Sequence, residues 1–148
     1  MCWWMCPTAA RRWRGRPGGG DSGADARLTA ERDLPLVVFS ADCGILLLHD
    51  PEAGCVGAVH AGWRGCAAGI VEKAVREMVR LLGARPERIL AAVGPCIGKC
   101  CFETDSDVPE AMAASALGTE AEAYWERRGA QDHLGPAGGD PPRAKGPR

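Results

Sequence analysis

A cysteine and a histidine lie on either side of a predicted β-turn, at a spacing that would let them share one metal ion. Cys43 precedes the apolar run 44–49, and His60 ends the run 55–60 that follows the turn. A thiolate and a neutral imidazole are both good ligands of Zn²⁺, and a catalytic zinc ion is normally held by three protein ligands and a water molecule. The same pair could instead be a nucleophilic thiol activated by an imidazole, or a buried core cysteine beside an unrelated histidine.

The turn between the two runs predicts how Cys43 and His60 face each other. An Asp-Pro pair suits the first two positions of a type I turn, and Gly54 suits the left-handed position that follows. If His49 and Gly54 close a four-residue loop, the antiparallel register sets Cys43 directly opposite His60. Directly opposed Cβ atoms are about 4.5–5.5 Å apart. A slip by one residue would move the two side chains to opposite faces of the sheet.

Two charged residues flank this pair. Arg64 lies on a glycine-flanked bend after His60 and could bind phosphate or a nucleoside oxygen through its fork of donors. A structural salt bridge is the alternative for Arg64. Asp42 neighbours the Cys43 thiolate and could orient a ligand or act as a base, although alternation along a strand could point it to the opposite face. Cys43, His60, Arg64 and Asp42 are therefore the candidate catalytic residues, with Cys43 and His60 as metal ligands.

Between residues 24 and 128 the sequence pattern predicts an α+β domain in which helices and a β-sheet form separate layers, as they do in α/β proteins. Four strand-type runs are present, at 34–40, 44–49, 55–60 and 89–93. The second run is almost wholly apolar, as expected of a strand buried on both faces, and the fourth is predicted to be a further buried strand. One amphipathic helix is predicted from Ala67 to Leu82, with Gly83 at its end. Strands and a helix in this order predict a mixed β-sheet with packed helices.

The two ends of the chain differ from this middle. Residues 1–23 are rich in Trp, Arg and Gly without a period, and residues 129–148 are rich in Gly and Pro, so we expect both segments to be disordered. Eighteen basic and nineteen acidic residues give a net charge of −1, which offers no electrostatic case for nucleic acid or an anionic membrane. There is no run of about 18 apolar residues to span a membrane. Eight cysteines without a signal-peptide pattern favour free thiols in the cytoplasm.

Four stretches carry a family signature. They are Ala-Asp-Ala-Arg-Leu-Thr at 24–29, Ser-Ala-Asp-Cys at 40–43, Val-Gly-Ala-Val-His-Ala-Gly-Trp-Arg-Gly at 56–65, and Gly-Pro-Cys-Ile-Gly at 94–98 running on to Cys-Phe-Glu at 101–103. Together they resemble the laccase-like multicopper polyphenol oxidoreductases, a YfiH-like family understood as purine nucleoside phosphorylases. The resemblance covers about residues 24–112, and the His-Ala-Gly-Trp-Arg-Gly string is highly specific.

The resemblance implies a zinc-dependent enzyme that converts adenosine, inosine and methylthioadenosine-type nucleosides, with phosphate, to a base and a pentose 1-phosphate. It also implies adenosine deamination and the oxidation of phenols, with Cu²⁺ as the alternative metal. The implied partners are a purine nucleoside and phosphate, and the oligomeric state stays open. Two of the family's three metal ligands correspond to Cys43 and His60. The third, a histidine in an upstream Gln-x-His segment, has no counterpart, because no histidine precedes His49.

Beyond about Trp125 the sequence has no pattern of the family left, whereas relatives continue to a Phe-Phe-Ser-x-Arg-Arg segment. We therefore expect a partial copy of the domain, truncated or frameshifted at both ends, and translation of the flanking DNA in all frames tests this. A non-catalytic remnant with an incomplete metal site and a Cys-His hydrolase remain open as alternatives. Cys96, Cys100 and Cys101 do not have a usual zinc spacing and are interpreted as loop or pocket thiols.

Overall fold

The structure is a computed structural model that describes the backbone of residues 11–13 together with residues 25–115 and 118–135. These residues belong to two compact units, Met1–Cys96 and Ile97–Arg148. Within the described residues, no helix has the length and apolar character needed to cross a membrane. The candidate catalytic residues all lie in the first unit.

A five-stranded sheet forms the framework of the first unit. Its strands are β1 (Arg11–Trp13), β2 (Ala26–Thr29), β3 (Gly44–Asp50), β4 (Cys55–Ala61) and β5 (Leu90–Val93), in the order β1-β2-β4-β3-β5. After β4 come helices α1 (Trp63–Ala67) and α2 (Ile70–Leu82), and a 3-10 turn, Pro86–Arg88, precedes β5. The predicted α+β class with helices packed on a sheet is confirmed. We expected a mixed sheet, but all pairs between the described strands are antiparallel. Strands β4 and β5 run in the same direction, but β3 lies between them and pairs with both.

Strand β1 lies inside the segment 1–23, which we expected to be disordered. It pairs with β2 through backbone groups, with Arg12 opposite Arg27. A ladder of backbone hydrogen bonds needs no hydrophobic period, so the sequence pattern of this segment does not predict the strand. The expectation is corrected for β1, and residues 1–10 and 14–23 lie outside the described part of the chain.

Helix formation after β4 occurs in two pieces where one helix, from residue 67 to residue 82, was predicted. Gly69 separates α1 from α2 with a φ of 69°, a left-handed conformation that favours glycine. Gly83 ends α2 with a φ of 72°, which confirms the predicted C-terminal glycine. The buried residues of α2 are Ile70, Ala74 and Met78. Their spacing of four residues forms one apolar stripe that faces the sheet.

Gly57 allows α2 to pack closely on the middle of the sheet. A Cβ at this position would lie 2.8 Å from Leu28 Cδ2 and 3.4 Å from both Leu48 Cβ and Met78 Sδ. Leu28, Leu48 and Met78 all belong to the buried core. A Cβ on Gly57 would therefore force the buried Leu28 side chain to shift.

The substitution Gly57→Ala is expected to lower the free energy of unfolding by about 1–3 kcal/mol, because the added methyl group overpacks the core. Chemical denaturation of the two proteins measures the difference. Gly94→Ala is the matched control, since a Cβ there would be 3.6 Å from the Ile45 carbonyl oxygen and 3.7 Å from Ile45 Cβ, both ordinary contacts. The control should change the free energy by no more than about 0.5 kcal/mol. Equal losses in both variants would contradict the packing argument.

The β3–β4 hairpin carries the candidate site and has a register that differs by two residues from the predicted one. Ile45 pairs with His60, and Asp50 pairs with Cys55. The prediction that Cys43 lies directly opposite His60 is therefore wrong. A shift by two residues keeps every side chain on its predicted face, whereas a shift by one would have exchanged the faces.

The Asp50 carboxylate accounts for this register. Asp50 is fully buried, and its Oδ1 accepts hydrogen bonds of 3.0 Å from the backbone N–H groups of Glu52 and Ala53. Its Oδ2 accepts one of 2.9 Å from the backbone N–H of Arg85 and one of 3.0 Å from the Arg88 guanidinium. These donors hold Asp50 at the end of β3 as its last paired residue. The loop is therefore closed by Asp50 and Cys55, where His49 and Gly54 were predicted.

One face of the sheet exposes apolar side chains that were predicted to be buried. Leu47 of β3 is 53% exposed and Leu90 of β5 is 63% exposed. The prediction that these two strands are buried is wrong, because α2 covers only the face of β3 that carries Leu48, and β5, at the edge of the sheet, is exposed at all four of its residues. The run 34–40, predicted as a strand, forms none, and its backbone pairs with none of the described strands. Phe39 in this run is 74% exposed.

The second unit contains a three-stranded antiparallel sheet. Its elements are β6 (Glu103–Thr104), α3 (Asp107–Ala113), a 3-10 segment (Gly118–Tyr124), β7 (Trp125–Arg128) and β8 (Gln131–Leu134), with strand order β6-β8-β7. Strand β8 falls within 129–148, which we expected to be a disordered tail. That expectation is corrected for β8, because Gly129 with a φ of 66° forms a tight turn from β7 and Asp132 and His133 are buried. Residues 136–148 lie outside the described part of the chain.

Candidate metal centre

Cys43 and His60 approach a common point beside Gly62. A Cβ on Gly62 would lie 3.4 Å from Cys43 Sγ, 3.6 Å from His60 Nε2 and 3.3 Å from His60 Cε1. Cys43 lies directly before β3 and His60 lies in β4, and both residues are half-buried. The structure therefore brings together the two predicted metal ligands, although they meet diagonally across the hairpin. Gly62 leaves the space between the thiol and the imidazole free of a side chain.

Asp25, which the sequence reasoning did not select, holds the other side of the His60 ring. Its Oδ1 is 3.2 Å from His60 Nδ1, and its backbone oxygen accepts a 2.7 Å hydrogen bond from the His60 N–H. A carboxylate at Nδ1 favours the tautomer that carries its proton there, which leaves Nε2 with a lone pair for a metal ion. Asp25 lies in the Ala-Asp-Ala stretch of the family signature, so that motif was the available signal.

We expect Asp25→Asn to lower the zinc affinity of the chain by about 10–100-fold, because the imidazole loses the carboxylate that fixes its tautomer and orientation. Competition with a chromophoric chelator measures the affinity, and ¹⁵N shifts of the His60 ring report the tautomer in the metal-free protein. Asp33→Asn removes the same charge from the exposed loop after β2 and serves as the control. Unchanged zinc affinity in Asp25→Asn would show that Asp25 does not position His60.

Two further thiols lie close to this corner of the sheet. Burial raises the pKa of the Cys66 thiol, and the nearby Cys43, Glu72 and Cys96 raise it further. Cys66 Sγ is 3.7 Å from the backbone oxygen of Ala61. The metal-free protein therefore keeps Cys66 as a neutral thiol. Cys96 is exposed, with its Cβ 3.9 Å from the point where a Gly44 Cβ would lie, and its interpretation as a loop or pocket thiol stays a prediction.

Arg64 and Asp42 are both exposed. The Arg64 guanidinium carbon lies 4.1 Å from the centre of the Trp63 ring, which is a cation–π contact. Stacking uses the flat face of the guanidinium and leaves the N–H groups at its edge available to an anion. Asp42 lies in the bend before β3, one residue from Cys43. The catalytic roles of both residues stay predictions.

The chemistry of the donors fits two positions of a zinc site. A thiolate and an imidazole backed by a carboxylate are typical zinc ligands, and imidazole also suits copper. Among residues 25–115 and 118–135, no three His, Cys, Asp or Glu side chains are grouped so as to hold a metal ion. His49 is exposed near the far end of β3 and His133 lies in the second unit. A third ligand is thus not found in the described part of the chain.

Comparison with known proteins identifies a matching family and several relatives. Residues 8–134 match the family described as multi-copper polyphenol oxidoreductase laccase. The chain is 45% identical over 112 residues to purine nucleoside phosphorylase ORF3 of Streptomyces griseus, covering 74% of this chain and 45% of that protein. It is 48% identical over 114 residues to a purine nucleoside phosphorylase of Deinococcus radiodurans, covering 77% of this chain and 43% of that protein.

The fold is also found in a solved structure, the hypothetical protein YfiH of Bacillus licheniformis. The TM-score is 0.60 with 34% sequence identity, and the match covers 65% of this chain and 36% of that one. The chain spans less than half the length of the curated relatives it matches. The similarity to the YfiH structure supports the α+β assignment.

Proposed function

We propose, because this chain belongs to the multi-copper polyphenol oxidoreductase laccase family, that it carries the metal-binding part of a zinc-dependent purine nucleoside phosphorylase. The substrates would be phosphate and a purine nucleoside such as adenosine, inosine or methylthioadenosine. Adenosine deamination, and phenol oxidation with copper, are proposed as side activities. Two relatives that are named purine nucleoside phosphorylases support the main activity.

In phosphorolysis a phosphate oxygen bonds to C1′ of the pentose while the bond from C1′ to the base nitrogen breaks. The base leaves with the bonding electrons and takes up a proton, and the pentose 1-phosphate is the second product. Arg64 is the residue we assign to the anionic phosphate, because its N–H edge is exposed while its face is stacked on Trp63. Asp42 is the exposed carboxylate beside Cys43 that could exchange the proton.

Cys43 and His60 would hold the metal ion, and Asp25 would orient the His60 ring toward it. A zinc ion bound there would act as a Lewis acid toward a substrate oxygen or lower the pKa of a bound water molecule. The observation that carries the proposal is the approach of Cys43 Sγ and His60 Nε2 to one point beside Gly62, with Asp25 on the opposite ring nitrogen. This arrangement supports the proposal, because a carboxylate behind a ligating imidazole is common at zinc sites.

The test is an assay of the purified chain for release of adenine from adenosine, with and without phosphate, alongside its zinc content. The proposal predicts phosphate-dependent release that Cys43→Ala abolishes. Zinc binding without turnover would favour a remnant that holds metal but lacks the rest of the active site. If the purified chain contained no zinc and released no adenine, the proposal would be contradicted.

A Cys-His hydrolase is the second candidate, because the same approach of thiol and imidazole could activate Cys43 as a nucleophile. Thiol alkylation would abolish that activity while chelators would leave it unchanged. A zinc enzyme should lose activity to chelators and recover it with added zinc. The cytoplasm is the compartment we propose, in keeping with six described cysteines outside disulfides.

A further inference from the structure

Two adjacent cysteines in the second unit lie side by side at the surface. Cys100 Sγ is 3.0 Å from Cys101 Sγ. Cys101 is exposed and Cys100 is half-buried, and neither is in a disulfide. Both belong to the unit Ile97–Arg148, whereas Cys43 and His60 belong to the other unit. The proposed phosphorylase chemistry leaves this pair without a role.

The backbone around the pair is fixed on both sides. Gly98 O accepts hydrogen bonds of 3.0 Å from the N–H groups of both Cys101 and Phe102. The turn is also tied to β8, because His133 Nδ1 lies 2.8 Å from Lys99 O and Leu134 N–H donates to Phe102 O at 3.0 Å. A turn held in this way keeps the two sulfur atoms in register. The sulfur atoms need to approach by only about 1 Å, from 3.0 Å to the bonding distance of about 2.05 Å.

We propose that Cys100 and Cys101 form a reversible redox pair that a hydroperoxide oxidises to a disulfide between adjacent residues. The exposed Cys101 thiolate attacks the peroxide oxygen, which gives a sulfenic acid and releases water or an alcohol. The Cys100 thiol then displaces the sulfenic oxygen, so a sulfur–sulfur bond forms and a second water molecule leaves. Two thiols have lost two electrons and two protons, and the peroxide has been reduced by the same two electrons.

Covalent geometry makes this disulfide a labile one. Adjacent Cα atoms are about 3.8 Å apart across a trans peptide bond, shorter than the roughly 4.4–6.8 Å found for most disulfides. The oxidised ring is therefore strained and readily opened by a small dithiol. A bond that forms with peroxide and opens with dithiol suits a modification that is switched by redox conditions. It does not suit a permanent structural crosslink.

The experiment treats the intact chain with increasing hydrogen peroxide, blocks the remaining thiols with N-ethylmaleimide and analyses the tryptic peptide that follows Lys99. The proposal predicts a peptide lighter by about 2 Da than the reduced form and carrying no maleimide, at peroxide levels that leave Cys96 alkylated. Dithiothreitol before blocking should restore two maleimide groups. Cys96 is the internal reference because it is also exposed.

Variants separate the two steps of the oxidation. Cys100→Ser should stop the reaction at the Cys101 sulfenic acid, which dimedone traps, while Cys96→Ser should leave the disulfide yield unchanged. The proposal is overturned if both cysteines stay alkylated when Cys96 is already oxidised. It is equally overturned if each goes to sulfinic acid, or if they pair with other cysteines. These measurements involve neither zinc nor nucleoside, so their outcome is independent of the proposed phosphorylase activity.

Discussion

Replacing Cys43 by alanine is expected to lower the zinc affinity of the chain by at least about a hundredfold, because it removes one of the two predicted ligands and no group of three possible ligands exists among the described residues. His60→Ala should cause a loss of similar size, since it removes the second ligand. Each single variant keeps one ligand, which binds zinc poorly by itself. The zinc affinity of the double variant should therefore be lower than that of the single variants by only a small factor. Competition with a chromophoric chelator measures all three affinities.

Cys55→Ala is the control for this series. Cys55 is a buried thiol at the opposite end of β4 from His60, where it pairs with Asp50. Its removal tests whether zinc affinity simply follows the number of cysteines in the chain. Wild-type affinity in Cys55→Ala together with the loss in Cys43→Ala would assign the metal to the hairpin. Equal affinity in all the variants would place bound zinc elsewhere.

Replacing Asp50 by alanine is expected to lower the midpoint of thermal unfolding by about 10 °C, because four donors lose a shared buried acceptor. Those donors are the backbone N–H groups of Glu52, Ala53 and Arg85 and the guanidinium of Arg88. Asp50→Asn should cost less, since the amide oxygen can still accept from the turn. Thermal unfolding followed by circular dichroism gives the three midpoints.

The Asp50 carboxylate also sets a pH dependence. Burial acts to raise its pKa, but the backbone donors and Arg88 outweigh burial and lower the pKa from 3.8 to about 2. A lowered pKa in the folded state means that the carboxylate stabilises the fold fully above its ordinary pKa, and that this contribution is lost as the pH falls from about 4 to about 2. The stability gap between wild type and Asp50→Ala should therefore be constant near neutral pH and narrow over that acid range.

Glu52→Gln is the control for charge in the same network. Glu52 pairs with Arg88 at the surface, and its side chain is 69% exposed. Exposed ion pairs contribute about 0–1 kcal/mol, so this variant should unfold close to the wild-type temperature. If Glu52→Gln and Asp50→Ala were equally destabilised, the buried carboxylate would not be the element that fixes the hairpin.

The approach of Cys43 to His60 could be predicted from the sequence because a strand has a side-chain period of two. The predicted register is wrong by two residues, but an even error keeps both side chains on the same face. The error arose from assigning Asp50 to the loop. Its role as a buried acceptor depends on Arg85 and Arg88, more than thirty residues away in the chain, and no local pattern contains that information.

Asp25 shows a different limit of sequence reasoning. It lies 35 residues before His60, and β2 brings it alongside β4 through antiparallel pairing. Strand order within a sheet is a long-range property, so spacing alone could not select this carboxylate. The opposite error concerns the apolar runs of β3 and β5, because hydrophobicity predicts that a strand can be buried but not which faces are covered. Leu47 is exposed because α2 packs on one face only, and Leu90 is exposed because β5 is an edge strand that is covered on neither face.

The metal centre itself is tested most directly by X-ray absorption at the zinc edge on the zinc-loaded chain. If Cys43 and His60 bind the metal, the spectrum should contain one sulfur at about 2.3 Å and one imidazole nitrogen at about 2.0–2.1 Å. The sulfur contribution should disappear in Cys43→Ala and the imidazole contribution in His60→Ala. A spectrum with several sulfur ligands, or one that neither substitution changes, would contradict a metal centre on the β3–β4 hairpin.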